Sequence, residues 1–156
     1  MAGYHLDTVA AATAGSAAGF TMAVPDGWRE DTRGLVTDLI DPVGHVSMQV
    51  DLSPFEAATA PGEADLLAEQ ALTDDSMPGY HPVALRPLVF HGSLGATWEF
   101  TWRQPGIGQV DVLDVLFAAH THGGRQTYKL QVSGPTADRT TNHAIFAEAL
   151  RTFDAR

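Results

Sequence analysis

Between residues 80 and 133 the chain passes through four strand-like segments, of which 94–103 and 125–133 alternate apolar with polar residues and 110–120 approaches the continuous apolar run of a strand covered on both faces, joined by short connections. They read "YHPVALRPLVF" (80–90), "LGATWEFTWR" (94–103), "VDVLDVLFAAH" (110–120) and "RQTYKLQVS" (125–133). Period-two alternation is the mark of a strand, because successive side chains point to opposite faces. The links at Gly92, in "QPGIGQ" and at His122, Gly123 and Gly124 leave no room for a crossover, so consecutive strands must pair antiparallel as a meander.

Three further strands precede this unit. Phe20, Met22 and Val24 alternate before Pro25, Asp26 and Gly27 break the run, "GLVTDLIDPVGH" carries a second strand into a turn, and "HVSMQVDLSP" alternates cleanly until Pro54. Two segments have helical character. "EADLLAEQALT" (63–73) places Leu66, Leu67, Gln70 and Ala71 along one side, and "DRTTNHAIFAEALRTF" (138–153) has a Phe146, Ala149, Leu150 and Phe153 stripe with Asp138 or Thr140 as N-cap. The expected fold class is therefore α+β, an antiparallel sheet of about six to seven strands with helices on its faces. Residues 1–18, rich in small residues at "VAAATAGSAAG", read as a flexible lead-in or linker, and 19–156 as a single domain.

Composition narrows the function classes. Nineteen acidic against nine basic residues give a formal charge of −10, which repels polyanions and provides no basic stripe for nucleic acid. With no cysteine, disulfides and thiolate chemistry are excluded. No run approaches the roughly 20 apolar residues of a membrane span.

The phrases "GFTMAVPDGW", "LIDPVGHVSMQVD", "ATWEFTW" and "YKLQVSGPTAD", followed by an amphipathic helix ending "LRTF", resemble the PsbP-like domain of actinobacterial secreted lipoproteins and of the extracytoplasmic regions of membrane serine/threonine kinases. The resemblance covers Gly19 to Phe153. It implies an α/β/α sandwich around an antiparallel sheet, in relatives that mostly bind or scaffold and share no catalytic signature. It also implies an extracytoplasmic location in a parent protein, or a cytoplasmic one if the chain is free-standing. The sequence carries no signal peptide, lipobox cysteine, kinase domain or membrane span, so the expectation is an excised domain or a free-standing relative.

Catalytic motifs are sparse. His120 and His122 are two apart on a strand and are the most metal-like pair, but only Asp111 or Asp114 offers a further ligand nearby. The more economical reading is two polar residues where a strand fades into a glycine turn. No serine lies in G-x-S-x-G or S-x-x-K, and the junction at Ser133 is explained by turn and cap chemistry at Pro135 and Asp138. Phosphate-cradling glycine loops are absent, so no cofactor is expected. Asp111 and Asp114, three apart, face opposite ways, which leaves a cross-strand pair such as Glu99 with Asp111.

The strands suggest a better place for a ligand. If Trp98, Phe100 and Trp102 share a layer with Val46, Met48, Val50, Tyr128, Leu130 and Val132, the opposite face gathers Glu99, Arg103, Gln49, Lys129 and Gln131. On this reading Arg103 and Lys129 anchor an anionic or carbonyl-bearing ligand. Glu99, Gln49 and Gln131 supply hydrogen bonds beside a groove at Trp28 and Trp102. The expected function is a non-enzymatic ligand-binding or sensor module for a small molecule or protein partner. An acidic interaction scaffold is the alternative, and a small metal-dependent hydrolase a weaker one.

Overall fold

The computed structural model describes residues 3–9, 19–121 and 124–155. Seven strands form one antiparallel sheet: β3 (Arg29–Arg33), β4 (Val36–Ile40), β5 (Ser47–Asp51), β6 (His81–Phe90), β7 (Ser93–Gln104), β8 (Gly108–Thr121) and β9 (Gly124–Pro135), ordered β3-β4-β5-β9-β8-β7-β6. A smaller sheet holds β1 (Tyr4–Val9), β2 (Phe20–Pro25) and β10 (Asp154–Ala155), with β2 in the middle. Helix α1 (Ala60–Thr73) lies against β6, β7 and β8, and α2 (Arg139–Thr152) lies with β2 over β8 and β9. The fold class expected from the sequence is the one observed, and the four late strands pair consecutively as a meander.

Residues 4–9 correct the reading of a flexible lead-in. They pair with β2 from Tyr4↔Pro25 to Val9↔Phe20, helped by a 3.1 Å contact between the Thr8 and Thr21 hydroxyls. Only Val9 is buried, so this outer strand carries no inward apolar alternation by which a sequence could announce it. The rest of the small-residue segment, 10–18, lies outside the described residues.

The helices begin where local chemistry favours a start. Thr59 caps α1 in an extended conformation, its Oγ1 accepting from Gly62 N at 3.1 Å, and Pro61 sits in the first turn, where its missing N–H leaves nothing unpaired. The buried face is Ala60, Glu63, Ala64 and Ala71, with Leu67 half-buried and Gln70 exposed. Small residues let the helix approach the sheet closely, so Ala64 touches the layer of Ala96 and Leu116. In α2 the inward residues are Asn142, Ile145 and Ala149, followed by Phe153, while Phe146 and Leu150 flank them half-buried.

The main core fills the space between the large sheet, α2 and β2. Phe153 is its hub, with ring centroids 5.1 Å from both Phe117 and Tyr128 and 5.6 Å from Phe20. Val110 to Phe117 in β8 are all buried, as expected of a strand covered on both faces.

Register overturns the expected grouping of faces. Trp98 stands opposite Asp114, Phe100 opposite Val112, and Asp114 opposite Gln131, which puts Trp98, Phe100 and Trp102 on the α1 face together with Lys129, Gln131 and Gln49. Met48, Val50, Tyr128, Leu130 and Val132 point the other way, into the α2 core. There are two apolar layers instead of one, and no single polar face.

Candidate functional site

The polar residues named from the sequence divide accordingly. On the α1 face, Gln49 Nε2 donates to Asp38 at 2.9 Å and Gln131 Nε2 to Asp114 at 3.3 Å. Lys129 lies beside them, half-buried, its charge acting on Asp114. Burial nevertheless pushes the Asp114 carboxyl up to about 6, against the Lys129 charge and the Gln131 hydrogen bond. Arg103 is exposed near the end of β7, its backbone N–H donating to Pro78 O at 2.8 Å. Trp28 packs against the α2-side core and Trp102 against the α1-side cluster, so they do not border one groove. His120 is exposed, and His122 lies outside the described residues. Asp114 is six residues back along the strand, about 20 Å at strand rise, which removes it as a partner for His120.

Glu99 takes a different position, beneath the start of α2. Glu99 on β7 and Asp111 on β8 are diagonal neighbours on one face, since Glu99 stands opposite Leu113 and Asp111 opposite Thr101. Arg139 and His143 approach them from α2, four residues apart and hence on one side of the helix. His143 Nε2 lies 2.9 Å from Glu99 Oε2 and 3.3 Å from Asp111 Oδ2. The Arg139 guanidinium donates to both Glu99 oxygens at 3.1 and 3.2 Å, and its Nε lies 3.5 Å from Asp111 Oδ2. The cross-strand acid pair weighed from the sequence is therefore assembled. Its two basic partners were not foreseen, although Arg139 and His143 carry the spacing of a shared helix side.

The two acids are poised differently. Burial opposes ionisation at Glu99, but hydrogen bonds from Arg139, Asp111 and His143 outweigh it and hold the carboxyl below its ordinary value. Burial, the Glu99 charge and the Glu99 hydrogen bond raise Asp111, with His143 pulling the other way. Asp111 is 1% exposed, against 12% for Glu99 and 41% for His143. The first turns of α2 also sit close to β9: a Cβ on Gly134 would meet Asn142 Oδ1 at 2.6 Å, so any larger residue would have to displace the buried Asn142 side chain.

Beside the cluster lies a pocket of about 400 Å³ between β6, β7 and α2. Glu99, Arg139, His143 and Arg86 supply its polar side, and Val83, Ala84, Leu113 and Phe146 its apolar one. Polar groups converging at one end of an apolar hollow are the usual makeup of a ligand site.

The family model for the serine/threonine kinase C-terminal domain matches residues 12–155. Among solved structures, the chain is similar to cyanobacterial PsbP from Synechocystis, at 14% identity and TM-score 0.64, over 97% of this chain and 92% of that one. It is also similar to the Ran-binding protein Mog1p of Saccharomyces cerevisiae, at 12% identity and TM-score 0.63, over 99% and 96%. A third is LpqN of Mycobacterium tuberculosis, involved in cell envelope biogenesis, at 12% identity and TM-score 0.56, over 97% and 91%. At these identities the likeness is one of fold. No curated protein sequence matches the chain.

Proposed function

The chain belongs to the serine/threonine kinase C-terminal domain family, and from that premise we propose that it is a non-catalytic sensor module binding a small anionic or carbonyl-bearing molecule with an apolar body. The pocket beneath α2 carries this reading. Arg86, Arg139 and His143 offer donors at one end, and Val83, Leu113 and Phe146 offer apolar walls. Glu99 and Asp111 hold Arg139 and His143 in place, which lowers the conformational cost of receiving a ligand. Arg103, Lys129, Gln49, Gln131, Trp28 and Trp102 have no part in this pocket. In a kinase with an extracytoplasmic C-terminal region, occupation of this pocket is the signal that the module reports. No described helix is long and apolar enough to cross a membrane.

The test is a ligand-observed NMR screen of the chain with straight and branched carboxylic and 2-keto acids of four to eight carbons. Wild type is compared with Ala84→Trp, which fills the pocket, and Gln131→Ala, whose side chain projects to the other face of the sheet and hydrogen-bonds Asp114 there. Binding in wild type and Gln131→Ala but not in Ala84→Trp supports the reading. Absence of binding, or binding indifferent to Ala84→Trp, overturns it. A salt-sensitive association with a basic protein, also indifferent to Ala84→Trp, would favour the acidic scaffold that the net charge of −10 suggests.

A further inference from the structure

Glu99, Asp111 and His143 bring metal-ligand atoms together, all within 4.8 Å of one another, and they form the only such trio among the described residues. Around a zinc ion bound at roughly 2.0–2.2 Å, the ligand atoms of a tetrahedron stand about 3.4 Å apart. The 3.3 Å between His143 Nε2 and Asp111 Oδ2 already has that length. The 2.9 Å between His143 Nε2 and Glu99 Oε2 is a hydrogen bond. It would have to open by about half an ångström to admit the ion, which a side chain on the half-exposed side of a helix can do.

The Asp111 carboxylate is also incompletely partnered, with room in its coordination for a cation that takes it through both oxygens. Asp111 Oδ1 is buried with no hydrogen-bond partner, in a side chain only 1% exposed, while the Oδ2 of the same carboxylate faces both His143 and Arg139. Buried carboxylate oxygens without donors are rare because nothing compensates the water they lose. Arg139 supplies the cluster with one positive charge, but its side chain is 53% exposed and is held from a single side, so it can turn outward.

We propose that Glu99, Asp111 and His143 form a binding site for a divalent transition metal, zinc being the best match, and that Arg139 is the cation displaced when the metal enters. One imidazole nitrogen with two carboxylates suits zinc, whereas magnesium and calcium favour oxygen throughout. Three protein ligands leave a fourth position for water or for the acid group of a molecule in the adjoining pocket. Metal entry requires His143 Nε2 to be free of its proton, which passes to Nδ1 or to solvent. The site does not depend on the pocket reading, since its three ligands bind the ion whether or not the hollow takes an organic molecule.

Calorimetric titration of the chelator-treated chain with zinc chloride, with magnesium chloride as the contrast, tests this. One equivalent of zinc should bind and magnesium should not. His143→Gln should weaken zinc by at least about tenfold, the scale on which metal sites respond to lost support, and Arg139→Gln should tighten it. His143 lies on a half-exposed helix side, so the variant is expected to fold. Should circular dichroism find otherwise, the ring-nitrogen resonances of wild-type His143 decide, since they must shift with the first equivalent. Failure to bind zinc, unchanged affinity in His143→Gln, or a His143 ring that does not respond overturns the proposal. Arg86→Ala separates the two sites: it removes a donor of the pocket that is not among the three metal ligands, so it should weaken acid binding and leave zinc binding intact.

Discussion

Asp114→Asn should gain stability relative to the wild type as the pH rises. The carboxyl is fully enclosed on the α1 face and lifted from 3.8 to about 6, first by burial and against the Lys129 charge and the Gln131 hydrogen bond. Between those two values the folded state holds a proton that the unfolded state has released, so stability falls as the pH rises through that window. A shift of about two units at about 1.4 kcal/mol per unit leaves the folded state about 3 kcal/mol worse off at pH 8 than with Asp114 neutral. Asparagine stays neutral and escapes this loss. It does place an amide N–H₂ where Asp114 Oδ1 has no partner, a cost of about 1–3 kcal/mol that does not vary with pH. The diagnostic is therefore the change in the mutant-minus-wild-type difference, which should move in the mutant's favour by about 2 kcal/mol between pH 4.5 and pH 8. Urea unfolding of both proteins across that range measures it, and titrations elsewhere in the chain cancel in the difference. A difference that stays flat with pH would mean that Asp114 is ionised in the fold at its ordinary pKa, and the account of its burial would be wrong.

Two packing predictions test the core and the seat of α2. Phe153→Ala removes the ring that meets Phe20, Phe117 and Tyr128 and should cost about 3–5 kcal/mol in urea unfolding; a loss below 1 kcal/mol would show that the aromatic hub is not what joins α2 to the sheets. Gly134→Ala pushes a methyl group against Asn142 and should cost about 1–3 kcal/mol. Because this displaces the start of α2, it should also perturb the His143 ring resonances, and an unperturbed ring would uncouple the helix seat from the site.

How much of this was legible in the sequence depends on whether a feature is local. The meander followed from turn lengths alone. Strand β1 was missed because its pairing is made by backbone groups and its side chains mostly face water. Helix α1 started three residues earlier than its helix formers suggested, since the start belongs to the Thr59 cap and Pro61. His143 and Arg139 passed unnoticed because a polar residue on the flank of an amphipathic helix looks the same whether it faces solvent or an acid on the sheet below.

Which residues of neighbouring strands share a face is not encoded by alternation. Period two fixes which residues of one strand share a side, but nothing within a strand says which side it shares with its neighbour's residues; that is set by register, and a one-residue slip inverts it. Hydrophobicity alone groups aromatic Trp98 and Phe100 with aliphatic Val50 and Leu130, yet register places them on opposite faces, both of which are covered. The corrected phase can be tested with double-mutant cycles. Glu99→Gln combined with His143→Gln should show a coupling of at least about 0.5 kcal/mol, the lower end for members of one hydrogen-bond network. Glu99→Gln combined with Gln131→Ala should be additive within about 0.3–0.5 kcal/mol, since Gln131 points to the other side of the sheet. Had the residues shared one polar face, the second pair would couple and the first would not, so the two cycles reverse their outcomes if the phase assigned to β7 is wrong.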